Sequence, residues 1–360
     1  MKSYILSSKT NIIIKHLIIL ISFIMTPHIM SQASDTFTPI VESDLSYLSD
    51  FIDSSDEVPI EEHLIHKVSL LVNNTGNHQI LGNKFNILPK YVIINGIKGD
   101  ITNKIIYTSQ TNSYITLEWD DEINDCSYMF SDLSDIININ LTEFDFQNIK
   151  SMSCMFCNNT NLEHIEFGEF DAASLTSIEK MFYNCYSLIS LNLSTFYVNE
   201  YINASYMFYN CANIKYIYFS KNNSFRLNSM EYMFYNCRSL SSLYLSNFVT
   251  SNVRNMSHMF YYCYYINSLN LTNFYSLYDI DMSYMFYYCT SLDFINFTKT
   301  YKLYLNKVEY MFYRCENLYN LDLISFDTSN VTNMDYMFDG CYNLRYIYNI
   351  NFNISIVNSM

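Results

Sequence analysis

The chain has 360 residues, half of them hydrophobic, enough for a sizeable core and for more than one domain. Its formal net charge of −15 argues against a nucleic-acid partner, because binding to phosphates wants a basic face.

Residues 1–33 have the build of a secretory signal peptide. Lys2, Lys9 and Lys15 precede the apolar run Leu17 to Met25, and Ser31 and Ala33 are the small residues before a cut after Ala33. The run is too short, and too broken by Lys15, to span a bilayer comfortably, and retention as an uncleaved anchor is the alternative. The chain is therefore expected to be secreted or held at the cell surface. Membrane association is expected only through an uncleaved signal or through an anchor beyond Met360.

Residues 34–66 read as an acidic, flexible lead, with nine acids and no Lys or Arg between Asp35 and Glu62. The lead ends in EEHLIH (61–66), where His63 and His66 sit with two carboxylates. The order is not H-E-x-x-H, so neither catalysis nor a dedicated metal site is expected there. Residues 67–122 hold the strand-like runs KVSLLV, KYVIING, NKIIYTS and SYITLEW, and four of the six glycines. They read as a small β-rich N-terminal cap whose last strand leads into a periodic region near Ile123.

From 123 to 360 the sequence is periodic. The pair Met-Phe recurs at 129, 155, 181, 207, 233, 259, 285, 311 and 337, always 26 residues apart, so YMFYNC at 206–211 is written again at 232–237. Leu or Ile follows the Met at seven and ten residues, Leu or Phe at twelve as far as Leu323, and in most repeats Phe at fifteen. The segment LxxLxL is a leucine-rich-repeat strand signature, in which residues ten and twelve share one face of a short strand. The half ending in MFYxC has apolar residues three and four apart, as in Val331, Met334 and Phe338, which predicts a short helix or 3₁₀ turn. The fold class is thus α/β: a solenoid of 26-residue repeats, short parallel strands on one face and short helices or 3₁₀ turns on the other. A single repeat cannot offset its own ordering entropy, so stability must come from stacked neighbours. The repeats contain only Gly168 and Gly340, and Asn is the expected substitute wherever the backbone turns left-handed. The chain stops inside a tenth repeat, so it reads either as a piece of a longer protein or as a solenoid with a bare last coil.

FDTSNVTNMDYMFDGCYNLRYIY (326–348), with looser copies such as FVTSNVRNMSHMFYYCYYINSLNL (248–271), resembles the BspA-like leucine-rich-repeat surface proteins over about residues 120–360. The resemblance implies a secreted or surface-displayed protein of adhesion and host contact, with no catalytic residues. This sequence departs from the family in being rich in Tyr and Asn, and in Asn222 and Thr300, which stand where the repeat otherwise has Phe.

Seven cysteines, from Cys185 to Cys341, fill one column of the repeat. Stacking brings them within disulfide range, but parallel Cβ vectors suit buried thiols better. Cys154 and Cys157 form the one C-x-x-C, without the second pair that a zinc site needs, and Cys126 is a possible disulfide partner. His78, His164 and His258 stand alone, and no Ser-His-Asp grouping, phosphate loop or nucleotide fingerprint occurs. No enzyme activity, cofactor or metal is expected.

The candidate ligand-binding residues are the aromatics in outward strand columns otherwise filled by Ser, Asn and Thr: Tyr216, Tyr218, Tyr244, Phe294, Tyr346 and Tyr348. Their expected partner is a protein or glycan on another cell or in the matrix. Asn140, Asn192, Asn270 and Asn296, each in an N-x-S/T sequon, fall in one outward column, where glycans would cover the same face. That leaves two functions in view: recognition or adhesion through the strand face, and a glycosylated structural coat without a specific ligand.

Overall fold

Leu191, Leu193, Ile217, Phe219, Leu269 and Leu271 are buried, while the residues alternating with them on the same strands face outward. This period of two is what the LxL columns require of a strand with one face on a core. In this computed structural model, which describes residues 66–348 and 357, successive coils lie parallel and one repeat apart. Ser190–Leu193 pairs with Tyr216–Phe219, Ser268–Leu271 with Phe294–Phe297, and Asn320–Asp322 with Tyr346–Tyr348. Short lateral strands, such as Phe225–Ser229 beside Phe248–Val249, close each coil toward its other side. The signal-peptide reading, His63 and the acidic lead as far as residue 65 lie outside the described residues, whereas His66, read as the end of that lead, opens the first strand.

Inside the coils the Phe of each Met-Phe pair stacks on the next. The ring centroids are 5.4 Å apart for Phe156–Phe182, 5.3 Å for Phe182–Phe208, 5.5 Å for Phe208–Phe234 and 5.4 Å for Phe234–Phe260. A continuous aromatic file therefore runs along the solenoid axis, flanked by the buried Met column.

The expected helices are not there: no helix of any kind occurs among the described residues. The MFYxC half is a chain of overlapping β-turns. Met155 N donates to Met152 O (3.2 Å) and Cys157 N to Cys154 O (3.2 Å). The physical reason lies in φ. The residue before each Met (Tyr128, Cys154, Lys180, Tyr206, Tyr232, His258, Tyr284, Tyr310, Tyr336) is left-handed. So is the residue three after it (Asp132, Asn158, Asn184, Asn210, Asn236, Tyr262, Tyr288, Arg314, Gly340). A left-handed residue at these two places prevents i→i−4 bonding and turns alternate N–H groups along the solenoid axis. Cys154 N, Phe156 N and Asn158 N accordingly donate to Glu179 O, Met181 O and Tyr183 O of the next coil at 2.8, 2.9 and 2.7 Å. Asn supplies part of the second column, as expected, but Tyr fills most of the first. Each non-Gly left-handed residue costs roughly 1–2 kcal/mol, offset here by bonds between coils and by stacking of the same Tyr rings, 4.8 Å apart for Tyr206–Tyr232 and 4.7 Å for Tyr284–Tyr310.

Ahead of the coils, β1 (His66–Val72), β3 (Tyr91–Ile94), β4 (Ile97–Gly99) and β6 (Ser113–Trp119) form one sheet with the first two coil strands, β7 (Ile136–Leu141) and β8 (His164–Phe167), in the order β4-β3-β6-β1-β7-β8. The strand that meets the first coil is β1, which runs antiparallel to β7, with Leu70 opposite Ile139. The first coil's strand edge is thus paired rather than bare. β2 (Gly76–Gln79) and β5 (Ile105–Thr108) form a separate antiparallel pair. Gly82 comes just after β2, and its N–H donates to Met129 O at 2.9 Å. A Cβ there would lie 2.0 Å from Tyr128 O, a backbone atom that cannot step aside. Gly82→Ala is therefore expected to lower stability by about 2–3 kcal/mol, read as a shift in the urea midpoint of Trp119 fluorescence. An unchanged midpoint would mean that this loop does not hold the first coil.

Candidate binding site

The candidate aromatics all reach solvent, between 45% and 55% exposed, and they fall into separate groups. Tyr216 and Tyr218 share one strand, their rings stacked with centroids 6.3 Å apart and planes 20° from parallel. Tyr244, one coil further, joins Tyr218 in lining an open cleft of about 630 Å³. Tyr346 and Tyr348 stack at 6.0 Å toward the other end, with Tyr319 edge-on to Tyr346 at 5.9 Å. Phe294 lies opposite Ser268, on a strand of neither group.

The cleft results from two local departures from the repeat. Ser241–Leu245, which carries Tyr244, pairs with neither neighbouring strand, and Leu243 is only half-buried where Leu191, Ile217 and Leu269 are buried. In the coil before it, Asn222 stands where Phe would enter the core. Phe225 takes that place three residues later, 5.1 Å from Phe248. The intervening residues bulge outward as a turn held by Ser220, whose Oγ accepts from Asn222 N (3.3 Å) and Asn223 N (3.1 Å). The bulge carries Lys221 to the cleft, with its ammonium 5.8 Å from the Tyr244 ring centroid. Asn192 and Ser194 line the opposite wall. Lys221 and Ser220 were not among the residues expected from sequence. The missing Phe at 222 was the signal for them.

The sequon residues share this face unequally. Asn192 and Asn270 are exposed, whereas Asn140 and Asn296 are half-buried. The side-chain oxygens of Asn140, Asn192 and Asn270 each accept from the N–H two residues on, at 2.9, 3.0 and 3.2 Å.

Two histidines that stand alone in sequence do not stand alone in the fold. His78 is buried, with Nδ1 3.0 Å from Asp135 Oδ2 and Nε2 3.0 Å from Thr108 Oγ1. The grouping has the outline of a hydrolytic triad but not its chemistry. Thr108 is 1% exposed and donates its hydroxyl to Asn74 O at 3.1 Å, so no substrate reaches it. The trio ties the β2–β5 pair to the first coil. His258 replaces Tyr in a stacked file, 4.3 Å from Tyr232 and 4.7 Å from Tyr284, and burial pulls its pKa down to about 4. His66 is buried against Phe144 at 4.7 Å, and burial lowers its pKa as well.

Cys154 and Cys157 are joined as a disulfide, and Cys126 is a free thiol. The seven-cysteine column is held as thiols. Each Sγ donates to the backbone oxygen of a Phe in the preceding coil, as Cys185 does to Phe156 O at 3.1 Å and Cys211 to Phe182 O at 3.0 Å. Among the described residues no cluster of His, Cys, Asp or Glu has metal-site geometry, and no helix is long and apolar enough to cross a membrane.

The repeat geometry defines a β-solenoid of the leucine-rich-repeat kind. A family model matches residues 103–221, 217–300 and 280–360, and the chain belongs to that family, described as "Mycoplasma protein of unknown function, DUF285". Among curated proteins, none matches it. Among solved structures it is similar to a leucine-rich-repeat protein from Eubacterium ventriosum (15% identity, 62% of this chain and 72% of that one, TM-score 0.31). It is also similar to one from Bacteroides ovatus (14% identity, 77% of this chain and 99% of that one, TM-score 0.20).

Proposed function

We propose that this is a non-catalytic binding protein of the BspA-like kind, exported and displayed or released, which recognises a macromolecule of another cell or of the matrix through its strand face. One observation carries the reading: Tyr218 and Tyr244 converge on an open cleft that is also lined by Asn192, Ser194, Ser220, Lys221 and Asn222, with Ile217 and Phe219 of the Tyr218 strand. Aromatic rings half-exposed among small polar groups offer area and hydrogen bonds together at little entropic cost.

The coat reading has an observation of its own. Asn192 lines the cleft, so a glycan on it would fill the space that a ligand needs. Glycopeptide mapping of native protein separates the two, since full occupancy at Asn192 sinks recognition at this cleft.

The direct test screens the full chain against a glycan array and a panel of matrix proteins. It runs beside a Tyr216→Ala, Tyr218→Ala, Tyr244→Ala variant of matched far-UV spectrum. A specific partner should bind the parent and weaken at least about tenfold, about 1.4 kcal/mol, in the variant. Equal binding by both would move the site away from these tyrosines.

A further inference from the structure

The solenoid builds the Lys221 bulge twice, 78 residues apart, and the two copies differ in one partner. Thr300, like Asn222, stands in the Phe column, and Leu303 enters the core instead. Thr298 Oγ1 accepts from Thr300 N and Tyr301 N, both at 3.3 Å, as Ser220 Oγ does in the first copy. Lys299 occupies the position of Lys221, and there the cation is neutralised: its Nζ lies 3.1 Å from Asp322 Oδ2 on the next coil. The position of Asp322 in the first copy is Tyr244. Among the described residues Lys221 has no carboxylate partner and looks instead across the cleft at the Tyr244 ring.

The surroundings add no substitute. Between Tyr201 and Tyr278 the one acid is Glu231, against Lys215, Lys221, Arg226, Arg238 and Arg254, in a chain whose net charge is −15. Glu231 belongs to the turn face, next to Tyr206 and Tyr232. Lys221 is thus the one charged side chain that lines the cleft, and it lacks the counter-charge that its own repeat supplies elsewhere.

We propose that the cleft binds a carboxylated sugar, whose carboxylate takes at Lys221 the part that Asp322 plays at Lys299. The pyranose would lie against the faces of Tyr218 and Tyr244. Its hydroxyls would meet the amide and hydroxyl groups of Asn192, Ser194, Ser220 and Asn222, all of which line the cleft. A ring with an apolar face and a rim of hydroxyls fits this lining better than an acidic peptide, which has no use for two flat aromatic walls. The charge-assisted bond to Lys221 would supply both orientation and the preference for acid over neutral sugars. The inference rests on the strand-face reading above and names its ligand.

The test measures binding of the full chain to a glucuronate-containing tetrasaccharide and to sialyllactose. A neutral chitotetraose and hexaglutamate serve as comparisons, by calorimetry at low and at 0.5 M salt. Two variants accompany it, both at exposed positions: Lys221→Met, which keeps the stem, and Tyr244→Asp, which rebuilds the Lys299–Asp322 pair inside the cleft. At least one acidic sugar should bind about tenfold or more tighter than chitotetraose, and the uronate and sialyl arms identify which carboxylate geometry fits. Either variant should remove that advantage, and high salt should weaken it. Equal affinity for chitotetraose, or full binding by Lys221→Met, overturns the inference and leaves the strand-face reading standing. Binding of hexaglutamate as tight as that of the sugars overturns it in favour of an acidic-peptide partner. Silence from every sugar also overturns it, and the strand-face reading is then decided by the matrix-protein arm of the array experiment alone.

Discussion

Phe234→Ala should lower the stability of the solenoid by about 3–5 kcal/mol, the usual range for emptying a buried aromatic site, and should split its unfolding in two. Phe234 is fully buried midway along the aromatic file, 5.5 Å from Phe208 and 5.4 Å from Phe260. Its own N–H still donates to Met259 O (2.9 Å) after truncation, so the backbone ladder survives while the ring contacts to both neighbours vanish. In a repeat protein, stability is close to a sum of terms between adjacent coils. Weakening the central term costs stability and also uncouples the coils before it from those after it. The chain's one tryptophan makes this visible, because Trp119 sits in β6 and reports the N-terminal end alone, whereas far-UV circular dichroism reports every coil. In the parent the two urea transitions should coincide. In the variant the Trp119 transition and the spectral transition should separate. A loss below about 1 kcal/mol with coincident transitions would show that the Phe file is not what couples the coils.

Alkali should unfold this protein well before it troubles an ordinary domain, and the buried thiol column is the cause. Burial lifts Cys185 from its ordinary 9.0 to about 12, only partly relieved by a hydrogen bond with the Asn159 backbone. Cys211, Cys237, Cys263, Cys289 and Cys315 are pushed up for the same reason. A group whose pKa is higher folded than unfolded contributes stability that is fully present below the unfolded value. That stability drains away as pH climbs toward the folded one. The window here opens near pH 9. Each pH unit across it is worth about 1.4 kcal/mol per thiol, so Cys185 alone costs the fold on the order of 4 kcal/mol by pH 12. Several such groups together exceed the roughly 5–15 kcal/mol that holds a typical domain. Tyrosines of the turn face move the same way, with burial lifting Tyr206 and Tyr235 to about 12. Unfolding is therefore expected between about pH 10 and 12, followed by circular dichroism with tyrosinate absorbance at 295 nm. Cys237→Ala should lower stability at pH 7 yet raise the midpoint of the alkaline transition, because one ionising group has gone. A variant with the parent's alkaline midpoint would remove the thiols from the account.

The periodicity legible in the sequence carried the strand face correctly, down to which residue of each LxL points inward. It did so because a strand's period of two leaves one reading for alternating columns. The other face was misread as helical. Apolar residues three and four apart, such as Val331 and Met334, satisfy a helix and a string of β-turns equally well. What separates the two is a left-handed backbone at Tyr232 or Tyr262, and a Tyr codes for that only in the company of the coils on either side. The outward aromatics were visible as interruptions of a polar column. Their grouping was not, since it depends on which coils keep their hydrogen bonds.

Repeat length, the buried columns and the candidate face at Tyr216, Tyr218 and Tyr244 were thus fixed by the amino-acid order itself. They are local patterns repeated until one reading survives. Tertiary structure alone decided where a cleft would open. It put Lys221 beside Tyr244 in one copy of a bulge while giving Lys299 to Asp322 in the other, and it joined His78, Asp135 and Thr108 across the first coil. Those contacts join residues more than twenty positions apart in the chain. Their geometry is set by how one coil lands on the next, which no single repeat contains.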